Sequence, residues 1–221
     1  MKLLLTSAGI SNLSIRNALV DLLGKPIAET SALFIPTAIY GIARGTNIIS
    51  KVICGSLGDP FCQLEWKSLG ILELTALPTI KQNIWLPALQ QTDALLVGGG
   101  DCQYLCYWMQ QSGLADLLPS LLHKIVYVGL SAGSMIMTSY GTTYGNHLLP
   151  PETDKALNFV DFAIHPHLDY ESFPDNSMAN LEKLSATLPM PSYAIDDQTA
   201  IKVVDGVVDV VSEGHWKLFT P

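Results

Sequence analysis

The sequence predicts an α/β protein with a mostly parallel sheet, helices on both faces and a C-terminal β-hairpin. Three observations carry that prediction. Short apolar runs alternate with longer amphipathic segments as far as residue 130. The chain is 48% hydrophobic and only 14% charged, which is the excess that strands covered on both faces require. Two glycine-rich turns, Gly98-Gly99-Gly100-Asp101 and Gly129-Leu130-Ser131-Ala132-Gly133, each follow an apolar run directly. Turns at the carboxyl ends of parallel strands look like this, and ligands bind there.

Taken in order, residues 2–6 read as the first strand, and 15–23 as a helix that stops at Gly24. Residues 32–35 make a second strand closed by Pro36, and 47–54 a helix. A third strand at 69–74 precedes a helix at 80–90; a fourth at 94–97 runs into the glycine turn and a helix at 103–111. The fifth strand, 124–128, leads to the serine turn and a further helix. Beyond it, 139–154 is rich in Gly, Thr, Asn and Pro and reads as a long surface loop, a candidate lid over substrate. Residues 159–164, a helical stretch at 178–188, and a β-rich end at 193–195, 200–204, 207–211 and 216–219 complete the reading. Asp205-Gly206 between two Val-rich runs is a hairpin turn signal. With no repeat, linker or low-complexity tract, residues 1–221 are expected to form one domain.

Bulk properties exclude several functions. A net charge of −8 leaves no basic surface for phosphate backbones, so nucleic acid is not an expected partner. No apolar run approaches the roughly 20 residues of a membrane span. The opening MKLLLTSAG is too short for a secretory signal and fits a buried strand better. Cys54, Cys62, Cys102 and Cys106 match no zinc spacing and sit among apolar residues, so buried thiols in a reducing cytoplasm are expected.

The stretch VYVGLSAGSMIM (126–137) poses the functional question: why a serine stands between two glycines where a strand becomes a helix. Small residues would let strand and helix pack closely. The same turn could also be a nucleophile elbow, exposing the Ser131 hydroxyl and aiming the Ala132 N–H at a developing oxyanion, with the helix N-terminus adding partial positive charge. A serine needs a base and an orienting acid. Of the five histidines, His123 precedes the fifth strand at the wrong end of the sheet and His147 lies in the polar loop. His165 and His167 end the run FVDFAIHPHLDY (159–170), and His215 lies beyond the hairpin. His165, His167 and Asp169 could begin a metal site, but no second cluster completes it, so no metal and no cofactor are expected. Asp196 and Asp197 follow an apolar strand and are the acid candidates.

Four segments in this order, LVGGGDCQYL (96–105), VGLSAGSM (128–135), FAIHPHLDY (162–170) and AIDDQTAI (194–201), resemble the aspartyl dipeptidase (peptidase E) family, which includes the cyanophycinases. The resemblance spans most of the chain. It implies a flavodoxin-like sheet related to class I glutamine amidotransferases and a serine peptidase acting on small peptides. It implies Ser131 as nucleophile, His167 as general base and Asp197 as the third member, with Asp196 as the fallback. It further implies N–H groups of Gly100 and Ala132 as the oxyanion hole, with Gly99, Asp101 and His165 facing substrate. Some members carry their acid shortly after the serine; the matching 144–148 is YGNHL here, with Asn146 and no carboxylate.

Two departures bear on specificity. Asp101 stands where many members carry Asn. The family's arginine for an acidic side chain, downstream of the base, has no counterpart: Arg16 and Arg44 lie far upstream, and Lys183 is the only cation between His167 and Leu188. A lysine lacks the bidentate fork. Two other readings remain open. An esterase of α/β-hydrolase type would use Ser131, Asp197 and His215, and an inactive relative would bind a small ligand at the same turns.

Overall fold

Strands apolar on both sides pair best in the middle of a sheet, and β1 (Lys2–Thr6), β4 (Ala94–Val97) and β5 (Val126–Leu130) are buried almost throughout. With β2 (Ser31–Ile35) and β3 (Ser68–Ile71) they form the parallel part of a seven-stranded sheet. Its order is β3-β2-β4-β5-β1-β8-β9. β8 (Thr199–Val204) lies antiparallel to β1, and β9 (Val207–Ser212) antiparallel to β8. The expected hairpin turn is there: Asp205 and Gly206 both have positive φ, 47° and 87°, as a primed two-residue turn demands. The structure, a computed structural model, describes residues 1–56, 61–140 and 156–221.

Alternate residues of each strand feed two cores, because successive side chains point to opposite faces. Leu4, Phe34, Leu96 and Val128 pack with Ile15, Leu19 and Leu22 of α1 (Leu13–Leu23) and Ile49 and Val52 of α3 (Gly45–Ile53). On the other face Leu3, Leu5, Leu95 and Tyr127 meet α4 (Gln82–Gln90), α5 (Cys102–Gln111) and α6 (Leu114–Leu121). The predicted α/β class, with helices on both faces, is therefore the observed one.

Differences from the expected elements have local causes. Helix α1 begins two residues early because the Asn12 side chain accepts from the Ile15 N–H at 2.9 Å and caps it. Strand β3 ends at Ile71 because Leu74–Thr79, with Pro78 inside, forms a 3₁₀ turn instead. A four-residue helix α2 (Thr37–Tyr40) follows Pro36 and was not expected. The helix after the serine, α7 (Ala132–Met135), is a single turn, so it brings little macrodipole. The loop predicted at 139–154 falls from residue 141 onward outside the described residues, and with it Asn146 and His147.

A second sheet, β10-β7-β6, was not foreseen. It joins β6 (Ala163–His165), the parallel β7 (Ser192–Ile195) and the antiparallel β10 (Trp216–Phe219). Helix α8 (Met178–Ser185) packs on it through Leu181 against Leu168 and Ala194. Among the described residues no helix is long and apolar enough to cross a membrane.

The cysteine reading needs correction. Only Cys102 and Cys106 are buried, whereas Cys54, at the C-terminal end of α3, is exposed, and Cys62, packed against the edge of a core, is half-buried. All four are free. Burial pushes the Cys106 thiol up to about 11 and that of Cys102 higher still, with the neighbouring Asp101 charge adding to the effect. Alkylation of the native protein at pH 8 should therefore modify Cys54 and Cys62 and spare Cys102 and Cys106. Mass spectrometry of the peptides, with urea-unfolded protein as the fully modified control, checks this.

Candidate active site

The carboxyl ends of three adjacent strands, β4, β5 and β1, deliver the glycine turn, the serine turn and Thr6-Ser7 to one place. Ser131 takes φ 49° and ψ −109°, a conformation side chains rarely adopt. Its N–H donates to the Thr6 carbonyl at 3.0 Å, and its carbonyl accepts from Ser134 and Met135 at 2.9 Å each. The flanking glycines answer the packing question. A Cβ on Gly133 would collide with the Val97 carbonyl, and one on Gly129 would stand 2.7 Å from the Gly133 backbone. Close packing therefore requires the glycines, and Ser131 sits between them on a strained corner.

His167 lies beyond β6, where a positive φ of 59° turns the chain back over the sheet. Its Nε2 stands 2.9 Å from Ser131 Oγ, and its Nδ1 stands 2.7 Å from Asp197 Oδ1. The ring stacks on Phe173, with centroids 4.8 Å apart and planes 16° from parallel. Asp197 follows β7 by two residues. Burial opposes its charged form, but the hydrogen bond and charge of His167 and the Ser7 hydroxyl outweigh that and hold its carboxyl below the usual value.

Asp196, the alternative acid, goes elsewhere. Its carboxylate accepts from the Thr199 hydroxyl at 2.6 Å and the His215 N–H at 2.8 Å, with the His215 ring 3.0 Å away. His215 also faces Asp169 at 3.2 Å and does not line the cavity beside Ser131. Asp169 in turn accepts from the Met178 N–H at 2.9 Å at the start of α8. Among the described residues no group of three or more His, Cys, Asp or Glu side chains converges as metal ligands would.

The glycine turn abuts the serine, since a Cβ on Gly99 would lie 3.2 Å from Ser131 Cβ. Gly100 has φ 140° and lies against the Ala38 backbone, so only glycine fits there. Among the described residues the N–H groups of Gly100 and Ala132 have no partner. Asp101 caps α5, accepting from the Tyr104 N–H at 2.8 Å, and is 3% exposed although it lines the cavity. His165, 1% exposed, lines the same cavity, and neither of its ring nitrogens has a partner among the described residues.

Sequence reasoning missed Ser7 and Phe173. The Ser7 hydroxyl donates to Asp197 Oδ1 at 2.8 Å and accepts from the His167 N–H at 2.8 Å. A signal was present in Thr6-Ser7-Ala8-Gly9, a small polar run at the carboxyl end of a buried strand. Phe173 left none, because its ring reaches His167 only through the fold of 166–176.

The chain matches the sequence model of Peptidase family S51 over residues 3–211. It belongs to that family. Peptidase E of Shewanella denitrificans is 27% identical over 208 residues, covering 90% of this chain and 82% of that protein. Peptidase E of Shewanella oneidensis is 33% identical over 82 residues, covering 36% of this chain. That match spans about a third of the relative's length, 35%. A crystal structure of a candidate peptidase E protein from Listeria monocytogenes superposes with a TM-score of 0.68 at 20% identity, covering 96% of this chain and 98% of that one. A peptidase from an acI-B1 Actinobacterium gives 0.64 at 18% identity, covering 99% and 93%. At those identities the two structures speak for the fold alone, and they bear out the α/β class expected from the sequence.

Within this S51 chain, His165 carries a measurable electrostatic signature. Burial lowers its pKa from 6.5 to about 4. The unfolded chain therefore binds the proton first, and stability falls as pH drops from 6.5 to about 4. At 1.36 kcal/mol per pKa unit the loss is on the order of 3 kcal/mol. His165→Leu should flatten that limb of the stability profile, measured by urea unfolding at pH 7, 5.5 and 4.5. An unchanged slope would mean that other groups set it.

Proposed function

We propose that this chain is a serine-type peptidase that hydrolyses small peptides, in the manner of a dipeptidase, with Ser131 as nucleophile. The observation that carries the reading is the unbroken hydrogen-bonded chain from Ser131 Oγ to His167 to Asp197, at 2.9 and 2.7 Å. It lies at the strand ends and opens into a cavity of about 1000 Å³. Family S51 membership supports it independently.

The mechanism follows from the contacts. With Nδ1–H donating to Asp197, the His167 tautomer leaves Nε2 as acceptor for the serine proton. Ser131 Oγ attacks the peptide carbonyl while Nε2 takes its proton. The resulting imidazolium gives the proton to the leaving amine, and water repeats the sequence on the acyl-enzyme. Asp197 fixes the ring and favours its charged form. In this reading the N–H groups of Ala132 and Gly100 receive the oxyanion, and such donors are worth roughly a hundred- to a thousand-fold each. This reading takes residues 1–221 as one domain, supported by β8 and β9 completing the sheet that β1 begins. A reducing, cytoplasmic setting goes with it, supported by four free thiols.

A fluorophosphonate probe should label wild-type protein at Ser131, located by peptide mass spectrometry. Ser131→Ala and His167→Ala should abolish labelling and lower dipeptide turnover about 10⁶-fold, and Asp197→Asn should lower it about 10⁴-fold. His215→Ala should leave both nearly unchanged. Folded wild-type protein that stays unlabelled would overturn the assignment.

A further inference from the structure

Part of the cavity beside Ser131 is walled by apolar side chains. Ile39, Ile42, Ile48, Val52, Phe61 and Met135 line it. Among the described residues no lysine or arginine does, and its charged side chains are the carboxylates Asp101 and Asp175. The cations that the sequence left as candidates are all exposed and outside it: Arg16 on α1, Arg44 before α3, and Lys183 on α8.

We propose that this cavity is the subsite for a large apolar side chain flanking the scissile bond, with His165 hydrogen-bonding the peptide group beside it. The inference deepens the peptidase reading above and rests on it. An apolar side chain such as Leu, Met or Phe entering the pocket leaves water and meets aliphatic walls. An aspartate or glutamate would lose its hydration, meet no cation among the described residues and face two carboxylates. His165 supports the same substrate. It is 1% exposed, and both ring nitrogens lack a partner among the described residues, an arrangement that calls for an occupant. Neutral imidazole offers one donor and one acceptor, the complement of a peptide C=O and N–H. Burial keeps it neutral above a pKa of about 4, so it adds no positive charge for an acidic side chain.

Purified protein assayed against dipeptides with Leu, Phe, Ala, Asp or Arg at each position tests the proposal. Leu or Phe at one position should give kcat/KM at least about tenfold above Ala, with Asp the poorest. Ile42→Arg, at a half-buried position on the cavity wall, should lower kcat/KM for the Leu peptides and raise it for the Asp peptides. His165→Leu should raise KM for the preferred peptide about tenfold, and His165→Gln should restore most of it. Unfolding midpoints check that each variant is folded. Wild-type protein that labels at Ser131 but cleaves Asp peptides as well as Leu peptides overturns the apolar subsite and leaves the peptidase reading standing. Protein that neither labels nor cleaves any peptide overturns the peptidase reading and the subsite with it.

Discussion

The end of β1 is the point on which the site depends. Thr6 ties the serine turn to the sheet: its carbonyl accepts from the Ser131 N–H at 3.0 Å and the Ser134 hydroxyl at 2.7 Å. Its own hydroxyl donates to the Gly129 carbonyl at 2.6 Å and accepts from the Gly9 N–H at 2.8 Å. Ser7, the next residue, points the other way and reaches both Asp197 and the His167 backbone. Two consecutive residues therefore set the positions of three side chains that lie 36 and 30 residues apart along the chain. Each bond is buried or partly buried, where an unpaired polar group costs about 1–3 kcal/mol. That cost couples the three segments: losing one leaves partners of the others unpaired.

Strain at Ser131 belongs to the same arrangement. A non-glycine residue at φ 49° and ψ −109° costs on the order of 1–3 kcal/mol and persists only where its surroundings fix it. Here the fixing is done by Thr6 on one side and by the Gly133–Val97 approach on the other. Relaxing the corner would swing Oγ away from Nε2 and turn the Ala132 N–H from its direction. Because α7 is only one turn long, that single N–H, and not a helix dipole, is the electrostatic element the turn provides.

The central sheet was legible because β1, β2, β4 and β5 announce themselves as short apolar runs closed by Gly, Pro or small polar residues. Their ends moved by only a residue or two. The second sheet was not legible. Its strands have three or four residues, and β10 pairs with β7 rather than continuing from the hairpin. Ring contacts accompany this sheet, Tyr193 against Phe162 and Trp216, and no local pattern announces them. The choice between Asp196 and Asp197 illustrates the limit on the site. Both follow the same strand, and the sequence gives them equal standing as turn residues. In the turn that follows β7 the two side chains diverge: Asp196 meets His215 and Thr199, while Asp197 meets His167 and Ser7. Resemblance picked Asp197; only the fold supplies the reason.

Charge connects the two halves of the cavity. The proposed reaction creates a positive imidazolium at His167 and a negative oxyanion on the substrate. The imidazolium has Asp197 at 2.7 Å, and Asp101 and Asp175 add negative potential from the walls. The oxyanion must instead be met by N–H groups on the backbone, which carry no counter-charge that burial could neutralise. A guanidinium that holds an acidic side chain is neutralised by it, so a pocket built for such a side chain needs a cation to balance the substrate's charge. A pocket that selects by apolar burial needs no such cation. The described lining holds carboxylates and no lysine or arginine, so the positive charge that the proposed reaction makes at His167 meets negative potential and no competing cation there.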